Sequence, residues 1–313
     1  MTKTWTLIIT TLLGAASAAC GASVAAHAAT TILTRLAGEG GNVQYDFQAN
    51  PGNGWFVQSG NTYRFKLGFK QGERASAHPI EVATVTVDPC ERYQGTASIA
   101  LQIIARHENH PRSTAYYKVA VSIKQEKDHF KLPLTADETF VQSFAMKIDP
   151  KSSLQDGSPV IFEQFWQGSP FAAPVSLTMV SPHDAYAKNW TNVGRLGNFA
   201  LKLNDDDHAP LHKFSTKPEF VDLGPIVVGA WMTWEIQVTP SPSQAAGEVQ
   251  VLLDGKQVAD VTRHKVGFDP SNPEYGSHRP ASQFSGVDIL LYRENGDSFQ
   301  RVYFDDASLS IIR

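Results

Sequence analysis

Apolar and polar positions alternate along this chain in short runs, and turn-forming residues close each run. The runs cover residues 62–67, 80–87, 96–104, 116–123, 140–148 and 160–165, then 175–179, 199–203, 233–238, 248–253, 287–292 and 301–312. Such lengths suit strands and are too short for most helices. Asp254-Gly255, between residues 248–253 and 256–260, is the strongest hairpin signal. A two-residue Asp-Gly loop accepts the left-handed backbone that a tight turn requires. Residues 31–37 alone read as moderately helical.

A dozen short strands in one unit, with no fixed repeat, predict an all-β fold. Two antiparallel sheets packed as a large β-sandwich of jelly-roll type are expected over residues 29–313. A propeller would need a periodic blade motif, and none is present. A sandwich of this size curves and leaves a concave face, which suits an extended polymer better than a small cofactor.

The N-terminus reads as export. Lys3 is the only charge before an apolar stretch over residues 5–19, and Ala26-His27-Ala28 fits the small-x-small rule for secretory cleavage. Residues 1–28 are therefore expected to be a signal peptide and the mature chain secreted or periplasmic. No stable membrane insertion is expected, because the stretch falls short of the ~18 apolar residues of a span. A lipoprotein site at Cys20 is the minor option, since Ser17 stands where Leu is wanted. After cleavage only Cys90 remains, expected as a buried small hydrophobe. The chain is expected to be a monomer.

Composition narrows the chemistry. The 313 residues are 42% hydrophobic and 19% charged, with a net charge of -4. No basic patch stands out to hold a phosphate backbone, so nucleic acid is excluded as a partner. The chain has no His-Glu-x-x-His, zinc-type Cys pair, G-x-S-x-G elbow or phosphate-binding Gly loop. Asn204-Asp205-Asp206-Asp207-His208 has the donors to gather a hard cation but lacks the spacing of an EF-hand loop, and reads first as a solvated acidic turn. Asp305-Asp306 either caps a turn or helps to hold a structural Ca²⁺. Glycoside hydrolysis needs two convergent carboxylates. Glu163, Asp305 and Asp306 are available, but no E-x-D-x-x-E spacing pairs them.

Polar and aromatic residues gather in three segments: residues 106–112 with the strand at 116–120, residues 162–168, and residues 290–295. Period two puts Gln164 and Trp166 on one strand face and Phe165 and Gln167 on the other. Residues of these types suit β-elimination on a uronic-acid polymer. An amide or Arg beside the substrate carboxylate stabilises the enediolate as it forms. His or Tyr takes the proton, and a Tyr hydroxyl can deliver one to the departing oxygen. No organic cofactor is required.

Further elements carry a family resemblance. They are Gly229-Ala230-Trp231-Met232-Thr233-Trp234-Glu235, the run from Gly247 to Asp254-Gly255-Lys256, Leu291-Tyr292-Arg293, and Val302-Tyr303-Phe304-Asp305-Asp306. With them the chain, from about Thr62 onward, resembles the jelly-roll polysaccharide lyases, the group of heparin lyase I-like and glucuronan lyase-like proteins with concanavalin A-like sandwiches. The resemblance implies a lyase acting on an anionic, uronate-bearing polysaccharide. Gln164 matches the family's carboxylate-facing Gln, while Trp166 and Gln167 stand where His is expected. Tyr292 matches the catalytic Tyr, as acid and as an alternative base. Asp288 stands four residues earlier, where the family has Lys, which argues against highly sulfated substrates. His110 is the first choice of base, with His129 as an alternative. Arg112 and Arg293 would assist Gln164, and Tyr117, Lys118, Trp166 and Gln167 would meet the sugars. Competing readings are a noncatalytic carbohydrate-binding module and a β-sandwich glycoside hydrolase.

Overall fold

The computed structural model describes residues 30–36, 42–44, 53–58, 61–70, 83–95, 98–103, 116–122, 132–154, 160–168, 170–205, 210–212, 215–294 and 299–313. The segment read as a signal peptide, including Cys20, lies outside the described residues. Strands are numbered in chain order. One sheet contains β1 (Thr30–Leu36), β5 (Ala83–Asp88), β6 (Ser98–Ile103), β8 (Thr139–Ile148), β15 (Trp231–Thr239), β16 (Gly247–Leu253), β17 (Lys256–His264) and β19 (Gln300–Ile312). Its order is β17-β16-β15-β8-β19-β6-β5, with β1 also pairing with β19. The other has nine strands: β2 (Asn42–Gln44), β3 (Asn53–Gln58), β4 (Asn61–Lys70), β7 (Tyr116–Ser122), β9 (Val160–Trp166), β10 (Val175–Val180), β11 (Asn198–Leu203), β14 (Glu219–Pro225) and β18 (Gly286–Glu294). Its order is β14-β11-β10-β9-β18-β7-β4-β3-β2. A small ribbon pairs β12 (Pro210–His212) with β13 (Ser215–Thr216). The two large sheets stack as the expected antiparallel β-sandwich of jelly-roll type.

Alternation decides which side chains enter the core. On β15, Met232, Trp234, Ile236 and Val238 are buried, and the residues between them are half-buried on the outer face. This is the signature of a sheet with one wet face. Aromatic rings join the sheets. Phe284 lies 6.1 Å from Phe140 of β8 and 5.3 Å from Phe165 of β9, and Trp234 lies 5.1 Å from Phe199 of β11. By contrast, β10 is buried along its whole length. The connection from β10 to β11 folds over the sheet's outer face, and Ala187 packs there against Val180 and Ala200.

The long strand β19 serves two neighbours on one edge, β6 with residues 300–304 and β1 with residues 307–312. Between them the register shifts, and Asp306 takes φ 46°. The Asp305 carboxylate accepts the N–H groups of Tyr93 and Gln94 at 3.0 Å each, and that of Asp306 at 2.8 Å. Asp305 therefore caps the loop at residues 89–95 against the bend.

The sequence reading needs three corrections here. Residues 31–37 were expected to be helical, but β1 runs antiparallel to β19, from Thr30 opposite Ile312 to Leu36 opposite Ala307. Its Thr and Ile residues are stiff at χ1 and favour a pleated partner. Cys90 is exposed, not buried, in a loop tied by N–H donation from Cys90 and Glu91 to Asp88 Oδ1. Asn204 and Asp205 are buried, not solvated. Asn204 Nδ2 donates to the Ala173 carbonyl at 2.7 Å, and Asp205 Oδ2 lies 2.8 Å from His264 Nε2. Asp206, Asp207 and His208 lie outside the described residues.

Candidate active site

Two adjacent strands of the nine-stranded sheet, β9 and β18, carry Gln164, Trp166, Tyr292 and Arg293 of the residues singled out from the sequence. Their pairing is irregular. Glu163 lies opposite Leu177 of β10, and Ile161 lies opposite Thr178, so Phe162 is an inserted residue. Across β18 the register also shifts, with Glu163 opposite Ile289 and Ile161 opposite Tyr292. A bulge breaks strict alternation and re-aims the residues beyond it. Here Phe162 and Glu163 are both fully buried at core positions, while Ile161, Gln164 and Tyr292 fall on the outer face.

The register makes a continuous outer row. Gln164 lies opposite Ser176 of β10 on one side and Asp288 of β18 on the other. Ser176 lies opposite Lys202 of β11, which lies opposite Phe220 of β14. In the other direction Asp288 lies opposite Ser122 of β7, and Ser122 opposite Arg64 of β4. Tyr292 lies opposite Lys118 of β7, so the backbone brings these two predicted residues together. Arg293 lies opposite Tyr117, at the alternate parity shared with Leu291. The side chains of Tyr117, Lys118 and Arg293, and all of His110, Arg112 and His129, lie outside the described residues.

Gln164 Nε2 donates to Asp288 Oδ2 at 2.9 Å, and both side chains are buried, 5% and 8% exposed. A carboxylate only accepts, so the bond fixes which end of the amide faces Asp288. Tyr292 is half-buried. Trp166 is half-buried too, with Nε1 donating to the Phe171 carbonyl at 3.1 Å. Gln167 differs from its expected role. Its amide is fully buried, donates to the carbonyls of Phe268 and Ala281 at 2.7 and 2.6 Å, and accepts the Phe268 N–H at 2.8 Å. It is a strut between the end of β9 and the segment around Phe268, because period two turns it away from Gln164.

Glu163 Oε2 accepts the Leu177 N–H at 3.2 Å, and Oε1 is buried with no partner. Burial pushes its pKa well above the usual carboxylate range; the Leu177 N–H opposes the rise, and the charge of Asp288 adds to it. Glu163 faces the core of one sheet, while Asp305 is held by backbone N–H groups in the other. The carboxylates considered for hydrolysis therefore do not converge. Among the described residues no group of three or more His, Cys, Asp or Glu is placed to hold a metal ion.

The sequence reading missed the far end of the row, at Lys202 and Phe220, and Tyr186 beside it. The one available signal was Lys202 set between Leu201 and Leu203 in an apolar run. Tyr186 sits on a short 3₁₀ turn, Ala185–Asn189, and stacks on Phe220 with ring centroids 4.2 Å apart.

A family model described as polysaccharide lyase matches residues 64–308. No curated protein sequence matches the chain. Among solved structures, an endo-β-1,4-glucuronan lyase from the fungus Trichoderma reesei is 13% identical, with a TM-score of 0.47, covering 72% of this chain and 86% of its own. The alginate lyase AlyC3 is also 13% identical, with a TM-score of 0.45, covering 87% of this chain and 100% of its own.

Proposed function

Because the chain belongs to the polysaccharide lyase family, we propose that it is an exported lyase that cuts a uronate-bearing polysaccharide by β-elimination on the outer face of the nine-stranded sheet. The observation that carries this reading is the grouping of Gln164, Asp288 and Tyr292 on the neighbouring strands β9 and β18. In β-elimination the proton beside the uronate carboxylate leaves to a base. Its electron pair forms a C=C bond as the C–O bond to the leaving sugar breaks, and the departing oxygen takes up a proton.

Each described residue has a part in that sequence. Gln164 Nε2 has two hydrogens, and one is given to Asp288. The other is available to the substrate carboxylate, where it would draw off charge as the enediolate forms. Asp288 holds the amide in that orientation. Its own negative charge favours a polymer with isolated carboxylates over a densely sulfated one. Tyr292 would protonate the leaving oxygen and, as an alternative to His110 or His129, take the first proton. Arg112 and Lys118 would supply positive charge, and Trp166 a surface for a sugar ring, whereas Arg293 stands at the register parity of Leu291, off the row of Gln164 and Tyr292.

The reading makes the substrate carboxylate indispensable. A uronate polymer and the same polymer with its carboxyl groups reduced to alcohols should therefore differ in turnover by roughly 10²-fold or more. Equal initial rates of chain cleavage on the two polymers would overturn the uronate assignment.

A further inference from the structure

Resting on the uronate reading above, we infer that Lys202, Phe220 and Tyr186 form a distal subsite of the same cleft, which holds a uronate unit remote from the bond being cut. The register carries the argument. Phe220, Lys202, Ser176 and Gln164 are successive cross-strand partners on one face of the sheet. Strands lie about 4.8 Å apart, so Lys202 stands roughly 10 Å from Gln164 and Phe220 roughly 14 Å. That spacing is close to the advance of a 1,4-linked pyranose chain per residue. A polymer crossing the strands from Gln164 reaches Lys202 and Phe220 two to three sugars along.

The chemistry at that end fits such a chain. Tyr186 stacks on Phe220 at an interplanar angle of 38°, and the Lys202 ammonium lies 6.0 Å from the Phe220 ring centre. Aromatic faces receive the apolar faces of sugars, and a lysine beside them meets a carboxylate. Packing accounts for the inner side of Phe220, which rests on Val180, Ala187 and Ala200. It does not account for Tyr186, which remains 42% exposed. The turn carrying Tyr186 is braced, since Asp184 Oδ2 accepts the Ser181 N–H at 2.8 Å and the Asp184 carbonyl accepts the Ala187 N–H at 3.1 Å. A ring held in place before binding loses little entropy on binding.

Lys188 and Arg195 are exposed on the connection from β10 to β11. The nearby acid Asp222 is engaged, accepting from Asn198 Nδ2 at 2.7 Å and from the Gly224 N–H at 2.9 Å. Lys188 and Arg195 share that face with the carboxyl groups of Asp184 and Asp222, so the subsite rests on Lys202 and the two rings.

The experiment compares a long uronate polymer with a uronate disaccharide, which advances by one sugar only and so cannot join Gln164 to Lys202. The full-length mature protein is assayed as wild type, Lys202→Met and Tyr186→Ala. Met keeps an apolar stem over Phe220 and removes the charge. Each variant should raise KM for the polymer roughly five- to tenfold, as expected for one charged or stacking contact. Turnover number should stay unchanged, and so should both constants for the disaccharide. Unchanged polymer KM in both variants would overturn the subsite, as would equal losses on polymer and disaccharide. A wild type that turns over neither substrate would instead overturn the uronate reading and the subsite with it.

Discussion

The Tyr292→Phe variant is expected to form unsaturated product roughly 10²-fold or more slowly than wild type, with polymer affinity largely kept. Phenylalanine retains the ring, and with it the packing of a half-buried side chain beside Ile161 on β9. Only the hydroxyl is lost. If that hydroxyl moves a proton while the glycosidic bond breaks, its contribution exists mainly in the transition state. Turnover number then falls while KM stays near its wild-type value. Removal of a group that merely binds the ground-state sugar would raise KM and leave turnover intact. Initial rates over a range of polymer concentrations separate the two, with circular dichroism to show that the sandwich is folded. Near-wild-type turnover would remove Tyr292 from the site.

Glu163→Gln is expected to change the pH dependence of stability. In the unfolded chain this carboxyl titrates at about 4.3. In the fold its pKa lies well above that, because the group is stripped of water in the core. Between the two values the native state holds one more proton than the unfolded state. Stability therefore falls as pH rises through this window, on the order of 1 kcal/mol per pH unit for one proton. The favourable contribution is fully present below the unfolded value and is lost as pH passes the folded one. Gln keeps the shape and an oxygen to accept the Leu177 N–H, but carries no proton to lose. Urea midpoints should show the variant gaining on wild type from acid toward alkaline pH. Parallel curves for the two proteins would show that Glu163 is not a buried neutral acid.

Most of the strand framework was legible because alternation reports directly on a sheet with one buried face. The run at residues 233–238 became β15, and Asp254-Gly255 became the β16–β17 turn, with φ values of 51° and 73°. What escaped has physical causes. The stretch Thr30–Leu36 has no clear alternation, and its strand character comes from pairing with the far end of the chain. Strand β14, Glu219–Pro225, ends in Gly-Pro, which reads as a turn until β11 is seen beside it. The bulge at Phe162 sets which residues of β9 face outward, and a bulge is decided by both neighbouring strands, not by the local run. Gln164 and Tyr292 were singled out by the polar and aromatic content of their segments and by family resemblance, and the structure places them on neighbouring strands. Gln167 was misjudged because its three backbone partners lie about a hundred residues away in sequence.

The central claim, that this sandwich cuts a uronate polymer by β-elimination, is tested most directly by counting two kinds of chain end in one digest. Wild-type protein is incubated with a uronate polymer, and the ultraviolet absorbance of unsaturated uronate is followed alongside new reducing ends. Elimination makes one of each per bond cut, so the two signals should rise together in equal amounts. Reducing ends that accumulate without unsaturated product would mean hydrolysis, and would contradict the account.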